Sequence, residues 1–489
     1  MTWTVIAPIG APALAAAGHA ALGWRRGTAW LGAAAAAALL GCGIALAATA
    51  ADGPRTALGG LLRADALSAF MLIVIGAVAL LATLAAPAHL AAEKAAGHLT
   101  DRDTRRYGVL TQGFVAAMAL AVLAASLGVL WVAIEATTIL TAFLVGYRRT
   151  RNATEAAWKY VVICSAGIAL AFLGIALLHF AARHAHVPAS GTLDWVRLAA
   201  HAQNLDPDVT RIAVALLVLG FGAKAGLAPL HAWLPDAHSQ APAPVSALMS
   251  GVLLSVAFYA VLRVKVVADA ALGAGFVRVL LLTVALASLA VSAALLLGQR
   301  DYKRMLAYSS IEHMGLIALG TAIGSRLAVT AVLLHVLGHG LAKAVAFLAS
   351  GHIHHAVGSS RIEAVRAQAA RAPVVAGGLG VALLALLGFP PFSLFASEIG
   401  IFRAGFAGGA GWAVTAALVL LLVIMGAIAA RAAGMLLGAP DTDAPPPPRP
   451  AAGTTAALVL GLTACAALGV TAWPLHGLLT DAATLLGAR

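Results

Sequence analysis

The stretch Arg211–Lys265, RIAVALLVLGFGAKAGLAPLHAWLPDAHSQAPAPVSALMSGVLLSVAFYAVLRVK, decides the fold. An apolar run of helix length carries one lysine, Lys224, and Pro229 interrupts it shortly afterwards. A polar connector follows, with His231, Asp236, His238 and the prolines Pro235, Pro242 and Pro244. A second apolar run begins near Val245. A lysine at mid-membrane depth costs roughly 2.5 to 3.5 kcal/mol on insertion scales, so such a residue marks a functional position. A helix broken at that depth frees carbonyls that only protein or water can satisfy. Charge and break together predict a hydrated ion site inside a membrane protein.

Composition agrees. The chain has 489 residues, of which 62% are hydrophobic and 10% charged, which excludes an ordinary soluble domain. It reads as an all-α polytopic membrane protein with spans of about 20 residues. The net charge of +12 is ascribed to cytoplasmic loops facing the lipid bilayer surface, and no nucleic-acid partner is expected. Cys42, Cys164 and Cys465 lie in separate apolar runs with no C-x-x-C, so no iron–sulfur cluster, metal or other cofactor is expected in this chain. No nucleotide-binding glycine loop is present, and no redox or hydrolytic site is expected. The N-terminus MTWTVIAPIG lacks a basic leader region and reads as a retained first span.

About fourteen transmembrane helices are expected, near 3–22, 29–50, 65–86, 108–126, 128–146, 157–180, 211–230, 243–262, 275–298, 305–323, 327–350, 373–396, 411–437 and 453–474. The organisation that follows is 1–106, an N-terminal three-helix segment; 107–265, spans 4–8; 266–437, spans 9–13; and 438–489, a proline-rich linker and the last span. Most of the 31 lysines and arginines fall on one side, among them Arg25, Arg26, Arg105, Arg106, Arg148, Arg149, Lys303, Arg304, Arg361 and Arg366. That bias puts both termini outside. Spans 4–8 and 9–13 form two five-helix repeats, and the odd number inverts one relative to the other. Helices 7 and 12 are broken, by Pro229 and by Pro390 with Pro391. They carry Lys224 and Glu398, while the second helix of each set carries Glu135 or Glu312. Interrupted helices at matching places in two halves point to an ion path.

Residues 226–254, GLAPLHAWLPDAHSQAPAPVSALMSGVLL, resemble the signature of the antiporter-like, proton-conducting subunits of respiratory complex I, Mrp-type cation/proton antiporters and membrane-bound hydrogenases. DYKRMLAYSSIEHMGLIALG (301–320) and LLHVLGHGLAKAVAFLASGHI (333–353) agree with it. Glu312, where complex I subunits usually carry a small residue, makes the chain look most like hydrogenase-4 component F. The resemblance runs from about Tyr107 to Leu437. It implies the inverted architecture, the same orientation in a bacterial inner (cytoplasmic) membrane, a pairing of Glu135 with Lys224, and proton exchange with one side at Glu398. It also implies partners: other membrane subunits and peripheral nickel–iron hydrogenase-like and iron–sulfur subunits that hold the redox chemistry.

The residues allow a path to be drawn. Lys224 is the natural counter-charge for Glu135. His335, His339 and Lys343 recur at i, i+4 and i+8, so they share one helix face, and histidine exchanges protons near neutral pH. Glu312 and His313 are neighbours and point in different directions, and only Glu312 is assigned to the path. His231 flanks the first break. Ser255 stands where the complex I pattern carries a lysine, so the relay between Lys224 and Lys343 is expected to run through water and histidine. His352, His354 and His355 read as a solvated loop, and Asp236 as a tie for the connector. The expected function is proton translocation driven by redox turnover in partner subunits. The rivals are a complex I subunit, a cation/proton antiporter without redox partners, and a quinone- or haem-bearing subunit. Because the chain stops at Arg489, no long lateral helix is expected after the last span.

Overall fold

The computed structural model describes residues 2–185, 187–188, 191–437 and 449–488. Apolar runs without competing turn chemistry wind into α1 (Trp3–Leu22), α2 (Leu31–Ala48), α3 (Ala66–Ala95), α4 (Asp101–Leu123), α5 (Leu127–Val145) and α6 (Arg151–His184). Next come the short α7 (Trp195–Ala200), α8 (Pro207–Lys224), α9 (Trp233–Gln240), α10 (Ala243–Leu248) and α11 (Leu254–Leu272). Then follow α12 (Ala274–Leu297), α13 (Tyr302–Ile323), α14 (Arg326–Val357), the short α15 (Gln368–Arg371), α16 (Pro373–Leu386), α17 (Ser393–Ala407), α18 (Gly411–Leu437), α19 (Ala452–Val470) and α20 (Trp473–Leu485). A small hairpin, β1 (Arg55–Ala57) paired antiparallel with β2 (Leu62–Ala64), caps one end. The chain is an all-α polytopic membrane protein.

Eleven helices among the described residues are long and apolar enough to cross a membrane. Expected spans 7, 10 and 12 are not among them. Helix α8, which begins span 7, carries Asp208, Arg211 and Lys224; α13, which contains span 10, carries Lys303, Arg304 and Glu312; and span 12 is divided into α16 and α17. Three details differ from expectation. The connector after Pro229 is mostly helical: Trp233–Gln240 forms α9, and Pro244 sits in the first turn of α10, where its missing N–H costs nothing. A π-helical turn, Met249–Leu253, joins α10 to α11. His352, His354 and His355 lie in the last turns of α14, not in a loop. Residues 438–448 of the expected proline-rich linker lie outside the described residues. Beyond α19, α20 packs on α3 and α14.

The ion pairs sort the connections into two ends. At one end Arg149 meets Asp103 at 3.1 Å, Asp236 joins Lys159 and Arg304 at 3.1 and 2.6 Å, and Arg148 bonds Glu93, while the backbones of Asp301 and Arg361 pair in an isolated antiparallel bridge. At the other, Arg263 meets Asp65 at 2.7 Å and lies 3.9 Å from the Trp195 ring centroid. The arginines and lysines of the positively biased loops thus share the first end. Asp236, expected to tie its connector, fastens α9 to α6 and α13.

Both broken helices end in the same way. After α8 the Gly226 N–H bonds the Ala223 carbonyl and the Leu227 N–H reaches back to Gly222. After α16 the Gly388 N–H bonds Ala385 and the Phe389 N–H reaches Leu384. This is a Schellman cap, and it needs a left-handed residue at the first position after the helix. Gly226 and Gly388 supply it with φ of 77° and 66°. A proline stands three residues after each glycine. Two further hydrogen bonds support the first break: Trp233 Nε1 donates to the Ala223 carbonyl at 2.9 Å, and Ser288 Oγ accepts from the Ala228 N–H at 2.9 Å.

The core lies around α10, α11 and α14, whose apolar windows are wholly enclosed by protein. Small residues set how closely the helices approach. A Cβ on Gly220 of α8 would stand 2.5 Å from the Gly167 carbonyl of α6, and one on Gly340 of α14 would stand 2.7 Å from the Gly251 carbonyl in the π-helical turn. Close approach through small residues is how helices associate where lipid is as apolar as leucine. Gly220→Val should therefore separate α6 from α8 and destabilise the chain by about 1 to 3 kcal/mol, read as a lower unfolding temperature in detergent.

Candidate functional site

Lys224 is the last residue of α8 and is 0% exposed. The Gly220–Gly167 contact one turn away lays α8 on α6 and so brings the lysine against Tyr160. Its Nζ donates to Thr138 Oγ1 of α5 at 2.9 Å and to the Tyr160 hydroxyl, and it sits 4.6 Å from the centre of the Tyr160 ring. The Tyr160 hydroxyl also shares a 2.6 Å hydrogen bond with Thr141 Oγ1. Glu135, the expected partner, lies one turn from Thr138 on α5. Its Oε1 accepts from Ser165 at 3.4 Å, and its Oε2 has no partner among the described residues. No carboxylate there comes within ion-pairing distance of Lys224. Hydroxyl oxygens make the contacts to Lys224, and the Glu135 that the resemblance pairs with it stands beyond ion-pairing distance. The physical reason is position: Glu135 lies half-buried beside Val132 and Ile139, each 56% exposed, at the periphery of the bundle.

The second set of residues surrounds Lys343, also fully buried. Its Nζ donates to the Leu306 carbonyl of α13 at 2.8 Å. Ser310 Oγ donates to the same carbonyl at 3.1 Å and lies 2.7 Å from Ser250 Oγ in the π-helical turn. His339 stands one turn from Lys343, and its ring centre is 5.0 Å from that of His313. His313 Nδ1 lies 3.1 Å from His335 Nε2, and His335 Nδ1 lies 2.9 Å from Ser397 Oγ of α17. The next residue is Glu398, and ligand atoms of His313, His335 and Glu398 all fall within 4.8 Å of one another. A Cβ on Gly388 would stand 2.3 Å from the Glu398 carboxylate, so the Schellman glycine makes room for it. Glu312 and Glu398 both line a cleft of about 530 Å³ walled by Phe395, Phe402 and Leu421. Glu312 and Lys343 form no ion pair within bonding distance.

The structure therefore brings His335, His339 and Glu398 into one row, with Lys343 beside it. Three members of this surrounding were not assigned from sequence: His313, Ser397 and, between the two lysines, His238. His238 of α9 is fully buried, and neither ring nitrogen has a partner among the described residues. It packs edge-on against Trp233, which in turn tilts against Tyr160, and on its other side against Phe347, one turn from Lys343. Ser255 Oγ is buried without a hydrogen-bond partner among the described residues. His231 is half-buried in the break, with Nδ1 unpartnered. The signal the sequence offers for His313 is its place next to Glu312 in an apolar span.

Tyr160→Phe with Thr138→Val removes both hydroxyl acceptors of Lys224. Stability should fall by about 1 to 3 kcal/mol, the cost of a buried donor without a partner, measured by thermal unfolding. Either single variant, which keeps one acceptor, should cost less than the double.

Residues 124–424 match the family described as NADH:quinone oxidoreductase/Mrp antiporter, TM. A hydrogenase-4 component F homolog of Methylacidiphilum infernorum is 36% identical over 385 residues, covering 78% of this chain and 80% of that one. NADH-quinone oxidoreductase subunit N of Salinispora arenicola is 30% identical over 445 residues, covering 89% and 86%. A chain in the structure of the membrane-bound sulfane sulfur reductase, an archaeal respiratory membrane complex, superposes with a TM-score of 0.87 at 24% identity, covering 100% of this chain and 98% of that one. The chain belongs to the NADH:quinone oxidoreductase/Mrp antiporter family of membrane proteins.

Proposed function

We propose that this chain is the proton-translocating, antiporter-like subunit of a membrane-bound oxidoreductase complex of the hydrogenase-4 type. The observation that carries the reading is the enclosed row from His339 through His313 and His335 to Ser397 and Glu398. Groups that both donate and accept protons stand there in contact across helices α13, α14 and α17. His313, His335 and Ser397 stand within hydrogen-bonding distance in turn. His339 packs on His313 with both ring nitrogens unpartnered among the described residues, so that water completes the steps from Lys343, and Glu398 delivers the proton to the lateral cleft that Glu312 shares. Glu135, Lys224, His231, Ser255, Glu312, His335, His339, Lys343 and Glu398 form the path, with His238 between the two lysines and His313 within the row. Ser255 contributes by ordering water.

The matching Schellman caps at Gly226 and Gly388 support the two inverted five-helix repeats, 107–265 and 266–437, between the three-helix segment 1–106 and the closing segment 438–489. They likewise support a count of fourteen spans, with α8, α13 and the α16–α17 pair joining the eleven. The end that gathers Arg148, Arg149, Lys159, Arg304 and Arg361 faces the cytoplasm of a bacterial inner membrane, and both termini lie outside. The redox chemistry resides in partners: other membrane subunits and peripheral nickel–iron and iron–sulfur subunits. The membrane complex that holds the superposed chain supports such an assembly. The alternative is a complex I subunit, favoured by the relative named subunit N. A nickel–iron subunit copurifying with the chain decides for the first, and a flavin- and NADH-binding subunit for the second.

Two measurements test this reading. Lys224→Ala and Lys343→Ala in native membranes should each lower the ratio of protons moved to electrons transferred. A wild-type ratio in both variants overturns the path. A cysteine at Arg149 should react with an impermeant thiol reagent only from the cytoplasmic side, and reaction from outside in intact cells overturns the orientation.

A further inference from the structure

At the basic end of the bundle, far along α14 from Lys343, three side chains from two helices converge. His89 and Glu93 are spaced i, i+4 on α3, so they share one face, and His355 reaches them from α14. His355 Nε2 lies 3.0 Å from His89 Nδ1 and 3.4 Å from Glu93 Oε1. Four ligands held tetrahedrally at 2.0 to 2.1 Å from zinc stand about 3.3 Å from one another. The two observed separations bracket that edge.

We propose that His89, Glu93 and His355 form a site for a borderline transition-metal ion of the zinc class, bound across α3 and α14. A cleft of about 180 Å³ lined by His89, His355, His352, Ala92, Thr454 and Arg449 adjoins the two histidines and is the route by which an ion would reach them. Arg148 bonds Glu93 Oε1, the oxygen that also faces His355, and lies 3.3 Å from His354 Nε2, so this guanidinium fixes the carboxylate and a bound ion would share that oxygen with it. His98 Nδ1 stands 3.3 Å from the second oxygen, Oε2. Arg148 and Lys303 add positive charge near the histidines. The donor set of two imidazoles and one carboxylate disfavours hard dications such as Ca²⁺ or Mg²⁺, which need several oxygen ligands, and suits ions that bond imidazole nitrogen strongly enough to bind despite that charge. Bound metal fastens the cytoplasm-proposed end of α14, the helix of His335, His339 and Lys343, to α3. The site itself rests on the local geometry alone and does not depend on the proposed proton path.

The test uses the full-length chain purified in detergent. Zn²⁺ is titrated in competition with a chromophoric chelator, and Co²⁺ is used as a spectroscopic stand-in. One equivalent of Zn²⁺ should bind, and Co²⁺ should give the intense visible absorption of a four-coordinate site. His89→Ala and His355→Ala should each weaken Zn²⁺ binding at least about tenfold, the lower bound for disturbing a metal's surroundings. Absence of saturable binding, or unchanged affinity in both variants, overturns the proposal. So does loss of binding in His313→Gln with retention in His89→Ala, which places the metal on His313, His335 and Glu398 instead. If the alanine variants fail to fold, the wild-type Co²⁺ spectrum decides. The weak absorption of a six-coordinate ion overturns the site, and the four-coordinate spectrum supports it.

Discussion

Lipid supplies no hydrogen bonds, and that constraint governs how this bundle places its polar groups. A helix can be broken inside it only if every freed N–H and C=O meets another protein group or enclosed water. Around the first break the indole of Trp233 and the hydroxyl of Ser288 do this work, and they come from a following helix and from a separate span. The break is thus a tertiary feature. It exists because α9 and α12 are already there to receive it. The same accounting explains the enclosure of α10, α11 and α14, since polar side chains concentrated on those helices are tolerable only behind a wall of apolar ones.

The lysine chambers obey a related logic. A hydroxyl both accepts and donates and turns at little cost, whereas a carboxylate at contact distance would hold an ammonium tightly. Opposite charges 4 Å apart attract by roughly 4 kcal/mol at an effective dielectric near 20, and doubling the separation halves this. With Thr138 and Tyr160 in the contact positions and Glu135 further off, Lys224 is held by groups that can follow a proton as it leaves.

Much of this was legible in the sequence because charge in an apolar run has few explanations. Lys224, Lys343, Glu135, Glu312 and Glu398 stand out for that reason, and the prolines mark the breaks. The i, i+4, i+8 stripe on α14 required only helical periodicity. What could not be read is which helix faces which. Tyr160 and Thr138 are unremarkable members of apolar spans until α5, α6 and α8 are packed together. His313 joins the row only because α13 turns it toward His335, and Ser397 only because α17 crosses behind. The helices within the polar connector were not read, since three prolines fall in it. Pro235 lies inside α9, however, and Pro242 and Pro244 are spent at the start of α10, where proline is welcome.

The π-helical turn at Met249–Leu253 changes the phase of everything after it. In an unbroken α-helix Ser250 would share its face with residue 254, and Ser255 would be rotated about 140° away from Ser250. A turn closed by i to i+5 bonds accommodates one additional residue, and the positions that stack become 250 and 255. Winding alone therefore aligns Ser255 with the serine that touches Ser310 and, through the Leu306 carbonyl, the lysine of the next helix. The vernier is mechanical: removing a single residue from the turn would leave both serines in the chain and put them out of step.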